Sequence, residues 1–305
     1  MHTIQRNLKR VLCGNLIVCG LVFLIVGSFS ANAATITVDG QALGANTTNW
    51  ARPYLVYNTA TGSTDTHLSQ GAGTTSASGT HAEADTGSVT PGSGVGGSSY
   101  SRAYADIDTG ELKAIAQTVA SNADQQDQNS AYGEVSVSQN FDVSGTGTVQ
   151  AFLALDGSID LARYDYPNLL FNFEAHLRLL GARSGTDDFL QISNGTSPFT
   201  QNINQVLIGT WGVQDGDTVT LIASLLAQIS SGTYGTMDFN NTAELFLQTD
   251  GVTLTPDDNR FLKDAVYNPN VTPLPGTLPL FASGLGAMGL LGWRRKRRIA
   301  AKAAA

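Results

Sequence analysis

The chain has 305 residues and a formal charge of −8, but its bases are gathered at the ends; between residues 34 and 293 only eight bases face all 25 acids, a net of −17. A body that acidic argues against nucleic acid and anionic membrane surfaces as partners. Both cysteines, Cys13 and Cys19, lie in the first apolar run, so the chain beyond it has no disulfide, no thiolate ligand and no cysteine nucleophile.

Residues 1–33 read as a secretory signal peptide with a signal helix. A basic start, MHTIQRNLKR, precedes apolar VLCGNLIVCGLVFLIVG, and SFSANA then supplies Ala31 and Ala33 as the small residues of a cleavage site. The mature chain is expected to start at Ala34 or Thr35. An uncleaved anchor is the competing reading, opposed by an apolar run that is marginal for spanning and by the cleavage site directly after it. Lipidation at Cys19 is opposed by bulky Val18 before it.

Residues 34–270 form the body. The stretch 58–99 is dominated by Gly, Ser, Thr and Ala, too poor in large apolar side chains to offset its ordering entropy, so long surface loops or a disordered insertion are expected there. Beyond it the apolar period becomes two. LFNFEAHLRLL sets Phe171, Phe173, Ala175, Leu177 and Leu179 on one face, and DTVTLIASLLAQISS does the same from Val219 to Ile229. Further strands are expected in ATITVDG, PYLVYN, YSRAYADI, LKAIAQTVA, GEVSVSQNFDV, GTVQAFLALDG, INQVLIGTWGV, TAELFLQT and GVTLTP, with IDTGEL as a hairpin turn. DDNRFLKDAV, after Pro256, is the strongest helix candidate. Many short strands with turns between them predict an all-β protein, an antiparallel β-sandwich or jelly roll.

Residues that could carry chemistry are scattered. His67, His81 and His176 have no metal-ligand spacing, and no G-x-S-x-G elbow occurs. GSGVGG and GLGAMG match a dinucleotide fingerprint in letters only, because neither joins a strand to a helix within a βαβ unit. The acids of Asp187-Asp188, Asp257-Asp258 and DIDTGE at 106–111 read as solvated turn residues; calcium in the loops stays open as an alternative. Trp50, Trp211, Tyr54, Tyr57, Tyr164 and Tyr166 are candidates for stacking on a sugar, against the reading that they fill the core. The expectation is therefore no catalytic residue, no metal ligand and no cofactor.

The tail, residues 271–298, is VTPLPGTLPLFASGLGAMGLLGWRRKRR. Its apolar segment 278–293 has 16 residues, about 24 Å as a helix against a hydrocarbon core of about 30 Å, and four glycines weaken it. It is expected to be a single, marginal transmembrane helix. Arg294, Arg295, Lys296, Arg297 and Arg298 form a stop-transfer cluster that keeps the tail cytoplasmic and the body outside. The order of proline motif (Pro273, Leu274, Pro275), apolar helix and basic cluster resembles the PEP-CTERM sorting domain of Gram-negative bacteria, in its PLP-bearing variant. Leu274 stands where the name-giving motif has glutamate.

The resemblance implies export, transient inner-membrane anchoring, recognition by an exosortase-type membrane peptidase, and delivery to the cell surface or an exopolysaccharide matrix, as in biofilm. YADIDTGELKA, VQAFLALDGSI, DGDTVTLIASL and NTAELFLQTDGVTLTPD look like the β-sandwich bodies of many such surface proteins, a class with no common catalytic residue. The expected role is thus a secreted, non-enzymatic surface or matrix protein. The alternative is a carbohydrate-binding module or polysaccharide-modifying enzyme displayed by the same route. Two other accounts of the tail are a permanent anchor, opposed by the short span, and a sortase motif, opposed by Leu278 where that motif has glycine.

Overall fold

The computed structural model describes residues 34–43, 50–59, 61–69, 73–89, 97–119, 129–163, 168–230 and 232–263. The signal helix and transmembrane helix expected at the two ends lie outside these residues. Within them the chain is all-β, and its 14 strands join into one sheet in which every pairing is antiparallel. They are β1 (Thr35–Leu43), β2 (Trp50–Asn58), β3 (Ser63–Ser69), β4 (Thr74–Ser78), β5 (His81–Asp85), β6 (Ser98–Asp106), β7 (Glu111–Val119), β8 (Ser130–Ala162), β9 (Asn168–Leu180), β10 (Ser184–Thr186), β11 (Asp188–Thr196), β12 (Phe199–Val213), β13 (Thr218–Ile229) and β14 (Tyr234–Pro256).

The spine is β8, 33 residues long. Its sequence holds two alternating apolar runs divided by Ser144-Gly145-Thr146, which read as a turn between two strands. In the structure the chain does not reverse there. Gly145, at φ 93°, lets the strand bend and continue, and β14 opposite shifts register between Asp250 and Val252. Odd-numbered side chains such as Val135, Phe141, Val149, Leu155 and Leu161 are buried along its whole length.

Four strands flank this spine in series. β13 and then β12 line one edge, at 131–142 and 147–161; β1 and then β14 line the other, at 130–138 and 141–162. The first half of β8 therefore sits in the order β3-β2-β1-β8-β13-β9-β11, and the second half in the order β10-β12-β8-β14-β7-β6-β5-β4. The two arms touch, β1 lying near β5 and β6, and β13 near β7. Gly133 marks a close approach, since a Cβ there would lie 2.7 Å from the Ile115 carbonyl oxygen and 2.9 Å from that of Arg102.

The core is graded. Ala82, Ala84, Ala103, Ala105, Ala114 and Ala116 face inward from β5–β7 and let the arms close on Val38 and Val135. Toward β9 and β14 large side chains take over, with the Phe173 and Phe239 rings stacked at 4.0 Å. Burying each large apolar side chain stabilises by about 1.5–3 kcal/mol. The faces expected for β9 and β13 are those observed: Phe171 to Leu179 and Val219 to Ile229 alternate inward without a break.

Two expectations are corrected. The Gly/Ser-rich stretch is not simply loop: it supplies β3, β4 and β5, which pair with β2 and β6. Small, Thr-rich strands suffice because β3 and β4 lie at the sheet's margins, where the apolar demand is lowest. The helix expected after Pro256 does not form over 257–263, which are turns and bends. There Asp258 takes its own Arg260 amide at 3.0 Å, a turn closure that competes with helix. IDTGEL does form the β6–β7 turn, with Gly110 at φ 77°.

That turn after β14 also fastens the chain's two connections together. Thr59 donates its amide to the Ala34 carbonyl at 3.0 Å, and its hydroxyl reaches both that carbonyl and the Asp258 carboxylate. Arg260 pairs with Asp258 at 2.8 Å and donates to the carbonyls of Thr59 and Gly79. Ala34 and the 257–263 turn therefore lie at one end of the domain.

Candidate functional site

The outward face of the first arm carries an unusual density of hydrogen-bonding side chains. Because register is fixed strand by strand, residues far apart in sequence fall into rows. One row runs Tyr54, Asp39, Glu134, Leu226, Glu174, Gln191 across β2, β1, β8, β13, β9 and β11. The next contains Thr37, Ser136, Ser224, His176 and Phe189. Neighbours in a row lie about 4.5–5.5 Å apart at Cβ, so three carboxylates share one line over the sheet.

Each carboxylate is held. Asp39, nearly buried, accepts from Arg52 through Nε at 3.2 Å and Nη2 at 2.7 Å. Burial nonetheless pushes its carboxyl above the ordinary range, outweighing the arginine. Glu134 accepts a short hydrogen bond from the Tyr132 hydroxyl. Burial raises its carboxyl too, and the charges of Asp39 and Glu174 add to the rise against the tyrosine's donation. Tyr132 is itself pushed well up, by burial and then by the Glu134 charge.

Glu174 behaves in the opposite way. Burial again opposes its ionised form, but donors surround it: Asn172 Nδ2 at 2.7 Å and Gln191 Nε2 at 2.8 Å to Oε1, and His176 Nε2 at 3.3 Å to Oε2. Together they hold its carboxyl below the ordinary range. The His176 ring lies beside Phe189, centroids 5.9 Å apart and 13° from parallel. This corner is a rigid fork of planar groups next to an exposed ring. It can donate and accept hydrogen bonds and offer an aromatic face.

The sequence candidates fare unevenly. Pro273, Leu274 and Pro275, the cluster Arg294, Arg295, Lys296, Arg297 and Arg298, and Ala31 and Ala33 all lie outside the described residues. So do Tyr164, Tyr166 and the side chains of Trp50 and His67. Trp211 and Tyr57 are buried and belong to the core. Tyr54 does face outward, in the row of acids. His81 stacks on Tyr104 at 6.3 Å. Asp187 accepts from Trp211 Nε1 at 3.0 Å, Asp188 from the Ile208 amide at 2.8 Å, and Asp106 from the Asp108 amide at 3.0 Å, each a local structural role.

Among the described residues no group of three or more His, Asp or Glu side chains is placed to hold a metal ion. The Asp39–Glu134 pair and the Glu174 fork escape a reading of the sequence because their members come from separate strands. The one local signal is polar Glu174 and His176 alternating with an apolar face. No family model matches the chain, and neither a curated protein nor a solved structure matches it.

Proposed function

We propose that the protein is an exported, non-enzymatic component of the cell surface or extracellular matrix, sorted through its tail by an exosortase-type membrane peptidase and associated with exopolysaccharide in biofilm. In this reading the folded-over sheet is a β-sandwich of the jelly-roll kind, between a cleaved signal helix and a transient membrane helix. The observation that carries it is the tail's order: Pro273-Leu274-Pro275, the weak apolar segment 278–293, then five consecutive bases.

The geometry supports it in two ways. Strand β1 begins at Thr35, directly beyond the expected cleavage site, so a chain cut there keeps every strand described. Ala34 and the 257–263 turn are fastened together at one end, as suits a domain held to a membrane by its tail while the rest projects outward. For the non-enzymatic role, the support is that Asp39 is committed to Arg52 and Glu134 to Tyr132.

Replacing Arg294, Arg295, Lys296, Arg297 and Arg298 together by alanine tests the sorting step. The expected outcome is loss of membrane retention and of tail removal, with the unprocessed chain released. Normal retention and processing of that variant would overturn the reading.

A further inference from the structure

We infer that the β9–β11 corner of the outward face is a binding site for a neutral polysaccharide, with Phe189 as its stacking platform and Asn172, Glu174 and Gln191 as its hydroxyl-recognising fork. Phe189 is 63% exposed, more than any other large apolar side chain described, none of which passes 51%. It is an aromatic ring open to water on a face whose other apolar side chains, Leu170, Leu180, Ile222 and Leu226, are aliphatic and less exposed. It is also fixed in place, since its cross-strand partner is His176 and the two rings lie nearly parallel.

The fork sits one step along. Gln191 is two residues from Phe189 on β11, about 6.6 Å by strand rise, which is comparable to the spacing of successive sugar rings. A hexose chain lying along β11 therefore meets the Phe189 face with one ring and the amide–carboxylate fork with the next. Sugar C–H faces are weakly positive and suit the negative face of an aromatic ring. Sugar hydroxyls both donate and accept, and so need a site that does both.

The fork meets that need. Glu174 accepts, and Asn172 carries a second amide hydrogen beyond the one given to Glu174, while Gln191 Nε2 holds the fork in place through both Glu174 at 2.8 Å and the Asn172 oxygen at 3.4 Å. Because Glu174 already fixes these amides, little conformational entropy is lost on binding.

Charge selects the polymer. The body is net −17 and Glu174 is held ionised, so uronic-acid or phosphate polymers are repelled. The base nearest along β9, Arg178, is engaged with Asp187 at 3.3 Å. The inference deepens the matrix reading above and rests on it for where the polymer is met; the site itself is argued from the fold alone.

The test is an array of neutral hexose oligosaccharides of four to eight units beside uronic-acid oligomers of the same lengths, probed with the exported protein. Binding to at least one neutral series is expected, weakened at least tenfold by Phe189→Ala, retained by Phe189→Trp and unchanged by Val119→Ala, an exposed apolar control on β7 of the other arm. Circular dichroism of Phe189→Ala should match the parent, because the ring is largely in solvent. Absence of binding to every neutral series, equal binding by Phe189→Ala, or preference for the uronic acids would overturn the inference. So would sedimentation showing self-association that Phe189→Ala abolishes. None of these outcomes bears on tail processing, so failure here is distinguishable from failure of the sorting proposal.

Discussion

A tight contact between the two arms gives the sharpest prediction about the fold. Gly133 lies on β8 with its absent side chain aimed at the opposite arm, where a Cβ would meet two carbonyl oxygens at 2.7 and 2.9 Å. Ordinary contact begins near 3.4 Å, so Gly133→Ala must push the arms apart by about 0.5–0.7 Å, and backbone on both sides cannot rotate away as a side chain would. Overpacking of this kind costs about 1–3 kcal/mol. For a domain of roughly 230 residues, a loss of about 2 kcal/mol lowers the melting temperature by about 4–8 °C. Thermal unfolding followed by circular dichroism reads this directly, with Ser136→Ala on the outward face of the same strand as a control expected to stay within about 0.5 kcal/mol of the parent. A Gly133→Ala variant melting within about 1 °C of the parent would refute the packing of the arms at this point.

Three further outcomes are expected. Glu134 has its carboxyl raised by burial, so the folded protein holds a proton that the unfolded chain has lost, and this group's contribution to stability falls as pH rises from the unfolded value through the folded one. Glu134→Gln removes that penalty while keeping an acceptor for Tyr132, so its melting temperature should gain on the parent between pH 4 and pH 7; a gap that is flat or closes contradicts this. Asp258→Ala strips Arg260 and Thr59 of their partner and should cost about 2 kcal/mol, less than the ~3–5 of a fully buried pair because the Arg260 side chain is 36% exposed; an unchanged urea midpoint would count against the fastening. Calcium or EDTA should leave the melting temperature where it is, and a rise with calcium would favour the loop-calcium alternative.

How much of this was legible in the sequence varied with how local the cause was. The inward faces of β9 and β13 follow from alternation inside a single strand, and the pattern of Phe171 to Leu179 admits no other period. The continuity of β8 does not, because Gly145 is equally a turn residue, and what decides the matter is β14 pairing across the bend from 162 to 141. Strands β3 and β4 escape because they contribute almost no apolar surface and take their order from their neighbours. The outward site escapes for a further reason: Asp39, Glu134 and Glu174 converge only after β1, β8, β13 and β9 have taken their registers. Phe189, in turn, reads as core in any composition argument, and its exposure is set by lying on the outward face of β11 at the sheet's margin. The tail is the reverse case: its reading rests on residue order alone, and it lies outside the described residues.

The sorting proposal rests on that tail, and intact mass spectrometry of the protein recovered separately from cells and medium tests it most directly. The account predicts a surface or released species that begins near Ala34 and ends near Pro275. A protein that keeps Arg294 to Arg298 in the envelope, with no shorter form outside the cell, would contradict it.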